Sequence, residues 1–143
     1  MGTIGLADIA LTSLRQISTP RGDVLHAMKR GDAGYVGFGE AYFSWVDPGA
    51  VKAWRRHTRM TLNLVVPVGM VRFVFHLPES GFRIEDIGPA RYMRLTVPPG
   101  IWFGFKGQSE TPSLVLNLAD IPHDPEEVMR QAPTDSPFDW HTP

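Results

Sequence analysis

The 143-residue chain contains no cysteine, which excludes disulfide bonds and thiolate chemistry. No apolar run reaches the roughly 20 residues of a membrane span, and the N-terminal segment lacks the basic start and long apolar stretch of a signal peptide. A net charge of −1 creates no overall field for nucleic acid or an acidic membrane surface. We therefore expect a cytoplasmic protein that binds neither nucleic acid nor membranes, and that binds any anion through a local cluster of charges.

The residues that are present indicate an all-β chain. Glycine (14) and proline (13) are frequent and separate short apolar segments, which is the pattern of a sandwich or barrel. In residues 71–77 and 113–119, apolar side chains alternate with other side chains, as on a half-buried strand. We predict a single all-β domain over residues 1–143, folded as a jelly-roll barrel.

One short helix is predicted near the C-terminus, in the segment DPEEVMRQ (124–131). Asp124 is a suitable N-cap and Pro125 suits the first helical turn, while Glu126 and Glu127 complement the positive end of the helix dipole. The tail that begins at about residue 131 is rich in proline, so we expect it to be irregular.

The densest group of charged side chains lies in a predicted strand, VKAWRRH (51–57), and just after it. Around Trp54 the sequence places five basic or titratable residues: Lys52, Arg55, Arg56, His57 and Arg59. Side chains two positions apart on a strand share a face, so Arg55 and His57 are predicted to point the same way. The cluster is either a solvated outer face or the wall of an anion site, because arginine forms bidentate hydrogen bonds with phosphate.

Six motifs follow one another along the chain: PRGDVLHAM, VKAW, GMVRFVFHL, LTVPPGIWFGF, LVLNLADIPHDPEE and PFDW. Their order resembles the dTDP-4-dehydrorhamnose 3,5-epimerase family of the cupin superfamily, over roughly residues 15–140. The resemblance implies a cupin jelly roll that forms a homodimer. It also implies an isomerase of deoxysugar or polysaccharide biosynthesis, as in the dTDP-rhamnose pathway. Such an enzyme inverts ring carbons beside the ketone of a nucleotide-linked 4-keto-6-deoxyhexose.

The catalytic positions of that family are substituted in this chain. By the resemblance, the family's histidine base corresponds to Arg55, whose guanidinium does not accept a proton at neutral pH. The family's lysine corresponds to Leu62, its tyrosine acid to Leu116 and its later cupin histidine to Phe103. The family's usual mechanism is therefore not expected here.

A different set of residues is predicted to carry the reaction. Removing a proton beside a ketone needs a base, a cation or donor at the carbonyl oxygen, and an acid on the opposite face of the ring. We assign His57 as the base, Arg55 as its electrostatic partner and Tyr42 as the acid. The predicted substrate-binding residues are basic or aromatic: Arg21, Lys52, Trp54, Arg59 and Trp102.

Two other functions fit the same residues. The nucleotide-sugar 3,4-ketoisomerases, which are also cupins, have a His-x-His pair near this place, and His57 corresponds to its second histidine. Loss of the family's acid and base also fits a non-catalytic protein that binds sugar nucleotides. The metal-binding pattern of cupins, His-x-His followed by Glu and a later His, is not matched, so no metal and no other cofactor are predicted.

Overall fold

Residues 3–141, which the computed structural model describes, form twelve β-strands and three 3-10 turns. The 3-10 turns are Leu6–Asp8, Pro125–Glu127 and Pro133–Asp135. The strands, in chain order, are β1 (Ala10–Ser13), β2 (Gln16–Ile17), β3 (Val24–Leu25), β4 (Glu40–Val46), β5 (Val51–His57), β6 (Leu62–Val68), β7 (Val71–Leu77), β8 (Gly81–Ile87), β9 (Met93–Val97), β10 (Trp102–Gly107), β11 (Ser113–Ala119) and β12 (Val128–Arg130).

Ten of these strands form two five-stranded sheets with the main core between them. The strand order is β1-β9-β6-β11-β4 in the first sheet and β12-β5-β10-β7-β8 in the second, and β2 and β3 form a separate pair. All neighbouring strands are antiparallel. The predicted all-β jelly-roll architecture is therefore confirmed. Within residues 3–141, no helix has the length and apolar character needed to cross a membrane.

The main core contains the alternating side chains of β7. Val71, Phe73 and Phe75 are fully buried there, so the alternation predicted for residues 71–77 is confirmed. They belong to one cluster with side chains of the first sheet such as Leu64 and Leu95. Burial of a side chain of this size contributes about 1.5–3 kcal/mol. The core therefore fixes how the two sheets lie against each other, and with it the walls of any cleft between them.

A second hydrophobic cluster covers the outer face of the second sheet. Trp54, Val74 and Trp102 point outward from β5, β7 and β10, and Trp140 of the tail packs against them. The rings of Trp54 and Trp140 have centroids 5.2 Å apart, and Lys106 donates a hydrogen bond to the Trp140 carbonyl at 2.6 Å. Residues 131–141 contain no strand, as expected of an irregular tail, yet they close this second core.

The alternation predicted for residues 113–119 is present, but the leucine face of β11 is the outer one. Inward-facing residues such as Asn117 are buried, and the leucines are only half-buried. On the outer face, Leu114 and Leu116 lie opposite Trp45 and Phe43 of β4, whose side chains are 60% and 63% exposed. The first sheet therefore presents an apolar outer face.

The predicted C-terminal helix is wrong beyond its first turn. Asp124 is the N-cap as expected and accepts a hydrogen bond from the Glu126 N–H at 3.0 Å. After the 3-10 turn, however, Val128–Arg130 pairs with β5, which would otherwise be the edge of its sheet, with Arg130 opposite Arg55. Pairing satisfies backbone groups that an edge strand leaves open, and this tertiary contact outweighs the local helix propensity of the segment.

Candidate active site

Strand β5 uses both of its faces, and only one of them points into the interior. In its register with β10, Arg55 lies opposite Phe103 and Arg56 lies opposite Trp102. Because side chains alternate along a strand, Arg55 and His57 point between the sheets, and Arg56 points outward. The prediction that Arg55 and His57 share a face is confirmed.

A β-bulge brings Lys52 onto the same face as Arg55. The register of β5 and β10 shifts beside Phe105, with which Lys52 pairs. A residue three positions away would otherwise point to the opposite side, and the extra residue of a bulge removes that difference. Gly104 permits the close approach at the shift, since a Cβ there would come within 2.5 Å of the Ala53 Cβ.

A cleft of about 290 Å³ lies between the sheets at this end of β5. Its walls come from both sheets and the loops beside them: Glu40, Tyr42, Arg55, His57, Met60, His123, Val128 and Arg130. A recess of about 60 Å³ shares Tyr42, Arg55 and His57 with the cleft and adds the polar side chains of Ser44 and Asn117. Polar groups can therefore contact one bound ligand from two facing walls.

The chemical centre of the cleft is a pair formed by His57 and Glu127. The His57 Nδ1 contacts the Glu127 Oε1, and the Glu127 side chain is only 2% exposed. The Glu127 Oε2 accepts hydrogen bonds from the backbone N–H groups of Thr58, Arg59 and Met60, at 3.1, 3.1 and 3.2 Å. Burial alone would raise the pKa of Glu127, but the hydrogen bonds from His57 and from the backbone lower it below its ordinary value. Glu127 is therefore a carboxylate at neutral pH.

Two contacts fix the imidazole of His57, and a third holds its backbone. One is the carboxylate of Glu127 at Nδ1, which leaves Nε2 as the nitrogen free to accept a proton. The second is a stacking contact with Phe103, with ring centroids 6.0 Å apart and an interplanar angle of 22°. The third is the Gly100 N–H, which donates to the His57 carbonyl at 2.7 Å from a turn whose φ of 97° favours glycine.

Two guanidinium groups face the cleft side by side. Arg55 and Arg130 are register partners on β5 and β12, and both line the cleft. Burial lowers the pKa of Arg55, the neighbouring charge of Arg130 lowers it further, and Tyr42 opposes this shift. Within residues 3–141, neither guanidinium forms an ion pair with a carboxylate. Two guanidinium groups that form no ion pair within the described residues make a site suited to a phosphate or another oxyanion.

Tyr42 lies across the cleft from this group of charges. It belongs to β4 in the first sheet, whereas Arg55 and His57 belong to the second. Its hydroxyl accepts a hydrogen bond from the Asn117 Nδ2 at 2.9 Å. The structure thus brings together the three predicted catalytic residues, His57, Arg55 and Tyr42, and with them Lys52.

Four predicted substrate-binding residues lie outside the cleft. Trp54 is 1% exposed and Trp102 is 6% exposed, both within the outer cluster beneath the tail. Arg59 forms an exposed ion pair with Asp124, with an Nη2–Oδ2 distance of 2.6 Å. Arg21 is exposed in the turn between β2 and β3. Strand alternation explains why the Trp54 side chain faces outward, because the side chain of its neighbour Arg55 faces inward.

Sequence reasoning missed three residues of the site: Glu127, Arg130 and Asn117. Glu127 was taken as a helix residue that complements the dipole, and Arg130 fell in the same predicted helix. Their proximity to β5 depends on the pairing of β12, which joins residues about 70 positions apart. Within the described part of the chain, no cluster of three or more His, Cys, Asp or Glu residues is arranged to hold a metal ion.

The chain is similar in sequence and fold to known sugar isomerases and epimerases. A dTDP sugar isomerase from Desulfovibrio desulfuricans G20 is 40% identical, with a TM-score of 0.86, over 93% of this chain and 90% of that chain. A curated relative from Haloferax volcanii, the probable low-salt glycan biosynthesis epimerase Agl13, is 27% identical over 94 residues. That match spans 61% of this chain and 60% of the relative's length. No protein-family model matches the chain.

Two more distant structures share the fold. The sugar 3,4-ketoisomerase QdtA from Thermoanaerobacterium thermosaccharolyticum, in complex with TDP, is 19% identical over 89% of this chain and 90% of that chain, with a TM-score of 0.77. A dTDP-4-dehydrorhamnose 3,5-epimerase from Sulfolobus tokodaii is 18% identical over 97% and 86%, with a TM-score of 0.78. The expected cupin jelly-roll fold is confirmed, and the chain belongs to the family of the Desulfovibrio dTDP sugar isomerase.

Proposed function

We propose that the protein is an isomerase that epimerises a ring carbon beside the ketone of a dTDP-4-keto-6-deoxyhexose. The observation that carries this proposal is the His57–Glu127 pair, which faces Tyr42 across a cleft that also contains two unpaired guanidinium groups. The similarity to a dTDP sugar isomerase and to a probable glycan biosynthesis epimerase supports the substrate class and a role in glycan assembly.

His57 acts as the base in this proposal. With Nδ1–H held by Glu127, Nε2 removes the proton from the carbon beside the ketone, and the C–H electron pair moves into the ring to form an enolate. The Glu127 carboxylate holds the productive tautomer and stabilises the imidazolium that results. The loss of the family's usual base favours a non-catalytic protein. The His57–Glu127 pair supplies a different base and therefore weakens that argument.

In this proposal, some of the basic side chains stabilise the enolate and others bind the diphosphate. Arg55 shares the inward face of β5 with His57 and interacts electrostatically with Tyr42 of the facing wall, and it is suited to the enolate oxygen, where negative charge develops. Arg130 lies farther along the wall, on the edge strand β12, and is suited to the diphosphate. Lys52 lines the recess and donates to the Trp45 carbonyl at 2.9 Å, and its ammonium is suited to a polar group of the sugar.

Tyr42 completes the reaction from the opposite wall. It gives its proton to the enolate carbon on the face away from His57, so the carbon is inverted. The excess proton on His57 returns to solvent, and the tyrosine regains one from solvent. This series of steps is redox-neutral, and the side chains that line the cleft supply its base, cation and acid.

A 3,4-ketoisomerase is the second candidate. His57 corresponds to the second histidine of the ketoisomerase His-x-His pair, and the likeness in fold to QdtA extends over 89% of the chain. In that reaction the same base removes the proton, but the enediol is reprotonated at the former carbonyl carbon, so the ketone moves.

Product analysis separates these functions. Purified protein is incubated with dTDP-4-keto-6-deoxyglucose, and the sugar is followed by proton NMR. An epimerase changes the ring coupling constants and keeps the ketone at C4, whereas a ketoisomerase moves the ketone to C3. Binding without turnover would leave a sugar-nucleotide-binding protein, and absence of binding would overturn the proposed substrate. The variant Arg55→Gln removes the inward-facing guanidinium from the cleft. Its matched control is Arg56→Gln, which removes the outward-facing guanidinium of the same strand.

We also propose that the protein is a cytoplasmic homodimer. A cytoplasmic location suits a nucleotide-sugar substrate, whose charged diphosphate does not pass through a bilayer unaided. The apolar outer face of the first sheet, with Phe43 and Trp45 largely exposed, suits a two-fold interface in which the same face meets itself. Trp45→Glu is expected to give a monomer in sedimentation analysis, whereas Ile84→Glu, at an exposed position on β8, is not. A monomeric wild-type protein would contradict the dimer.

A further inference from the structure

The recess behind His57 contains an asparagine whose hydrogen bonding is incomplete. Asn117 projects from the inner face of β11 and is 5% exposed. Its Nδ2 donates to the Tyr42 hydroxyl at 2.9 Å, while its Oδ1 has no hydrogen-bond partner among the described residues. Buried polar atoms are almost always satisfied, so this oxygen marks a position where a donor of a bound ligand belongs.

The surroundings of Asn117 match one part of a deoxysugar. The recess has apolar walls formed by Leu62, Leu64, Phe103, Phe105 and Val115. Its polar groups come mainly from the strands β4, β5 and β11. A hydroxyl of a sugar ring supplies the donor that Oδ1 lacks, and the apolar walls suit the carbon skeleton beside it.

The hydrogen bond from Asn117 also sets the direction of the Tyr42 proton. A phenol oxygen that accepts from an amide N–H keeps its own proton available for another acceptor. Within residues 3–141, the Tyr42 hydroxyl donates to no other residue. Tyr42 and Asn117 are register partners on adjacent strands, so this orientation is built into the sheet and does not depend on a loop.

We propose that Asn117 is a positioning residue, which directs the Tyr42 proton toward the enolate carbon and accepts a sugar hydroxyl at its Oδ1. This inference rests on the proposed epimerase function. In the step itself, the O–H bond of Tyr42 breaks, a C–H bond forms on the enolate carbon, and the electron pair of the O–H bond stays on the phenolate. The Asn117 amide N–H and the nearby Arg55 guanidinium stabilise that phenolate.

The test compares deuterium uptake with inversion. In heavy water, a site with its base but no working acid removes the proton and returns deuterium from the same face, so substrate gains deuterium without inversion. Asn117→Asp keeps the shape and the acceptor oxygen but accepts a hydrogen bond from Tyr42, which turns its proton away from the sugar. We expect the rate of inversion to fall at least tenfold, while the rate of deuterium uptake stays within about threefold of the wild-type rate. Tyr42→Phe should give the same pattern. Arg56→Gln, on the outward face of β5, should keep the wild-type ratio.

Two further results decide the role of Asn117. If it acts through Tyr42, then adding Asn117→Asp to Tyr42→Phe causes no further loss of inversion. Asn117→Ser, which also removes the amide donor, provides the same comparison should the aspartate variant not fold. A wild-type ratio of inversion to uptake in the folded Asn117 variants, or an additive loss in the double variant, would overturn the inference alone. Absence of both uptake and inversion in the wild-type protein would overturn the proposed function itself.

Discussion

Glu127→Gln perturbs the pair at the centre of the site without changing its shape. The glutamine oxygen can still accept from the backbone N–H groups after His57, and its amide then faces the His57 Nδ1. Two donors cannot face each other, so the imidazole proton moves to Nε2. The nitrogen that faces the cleft then no longer accepts a proton.

The expected effect on turnover is large. A histidine base held in the wrong tautomer by an isosteric amide loses up to about 10⁴-fold in kcat in a serine protease. We expect a loss of about 10²- to 10⁴-fold for Glu127→Gln, with KM for the nucleotide sugar changed by less than about threefold, because Glu127 does not line the cleft. Steady-state kinetics by NMR measure both quantities.

The variant is also expected to be less stable. Three backbone donors lose a charged acceptor, and hydrogen bonds to charged groups are about 1 kcal/mol stronger than neutral ones. The free energy of unfolding should fall by about 2–3 kcal/mol, and the Tm by about 6–12 °C for a domain of this size. Glu126→Gln is the matched control, since Glu126 is exposed in the same turn.

The stability difference should depend on pH in one direction. The folded-state pKa of Glu127 is lowered, mainly by the hydrogen bonds that outweigh its burial. The stabilisation is therefore complete above the unfolded pKa of about 4.3, and it is lost as the pH falls through the folded value. The difference in Tm between the wild-type protein and Glu127→Gln should be largest near pH 7 and should decrease below about pH 4. Wild-type turnover in Glu127→Gln, or a difference that does not decrease, would refute the reasoning.

Three other predictions follow from the placement of residues around β5. Arg130→Gln should weaken dTDP binding at least about tenfold in calorimetry, because it removes a charged donor worth about 1.5–3 kcal/mol, while Arg56→Gln should not, and Arg55→Gln should lower turnover more than dTDP affinity because its guanidinium is assigned to the enolate oxygen; equal affinities of the Arg130 and Arg56 variants would contradict the assigned faces. Trp54→Ala should lower the free energy of unfolding by about 3–5 kcal/mol in denaturant titration without changing the dTDP affinity of the folded protein, whereas a selective loss of affinity would return Trp54 to the site. Gly100→Ala should cost about 1 kcal/mol or more, since its positive φ disfavours alanine, and an unchanged Tm would refute that strain.

The fold was largely predictable because its signals are local and repeated. Residues 71–77 alternate between the two faces of the sheet, and the observed strand β7 buries Val71, Phe73 and Phe75 in the main core. The alternation of residues 113–119 was equally clear, but alternation alone does not say which face is inside. The leucines of β11 lie on the outer face of the sheet, and its inner face contributes Asn117 to the recess.

The site was predictable only as far as one strand extends. Alternation correctly paired Arg55 with His57, but strict alternation would put Lys52 on the opposite face, and the bulge beside β10 brings it onto theirs. Glu127 and Arg130 are about 70 residues from β5, and their segment has the local signals of a helix. Long-range pairing of an edge strand leaves no such local signal, so no reading of that segment by itself could have found the carboxylate behind His57.

The most direct test of the central claim measures how fast His57→Asn incorporates deuterium from heavy water beside the ketone of dTDP-4-keto-6-deoxyglucose. At saturating substrate, we predict a rate at least about 10²-fold below that of the wild-type protein, with dTDP affinity within about threefold. Uptake at the wild-type rate in the asparagine variant would contradict the assignment of His57 as the base.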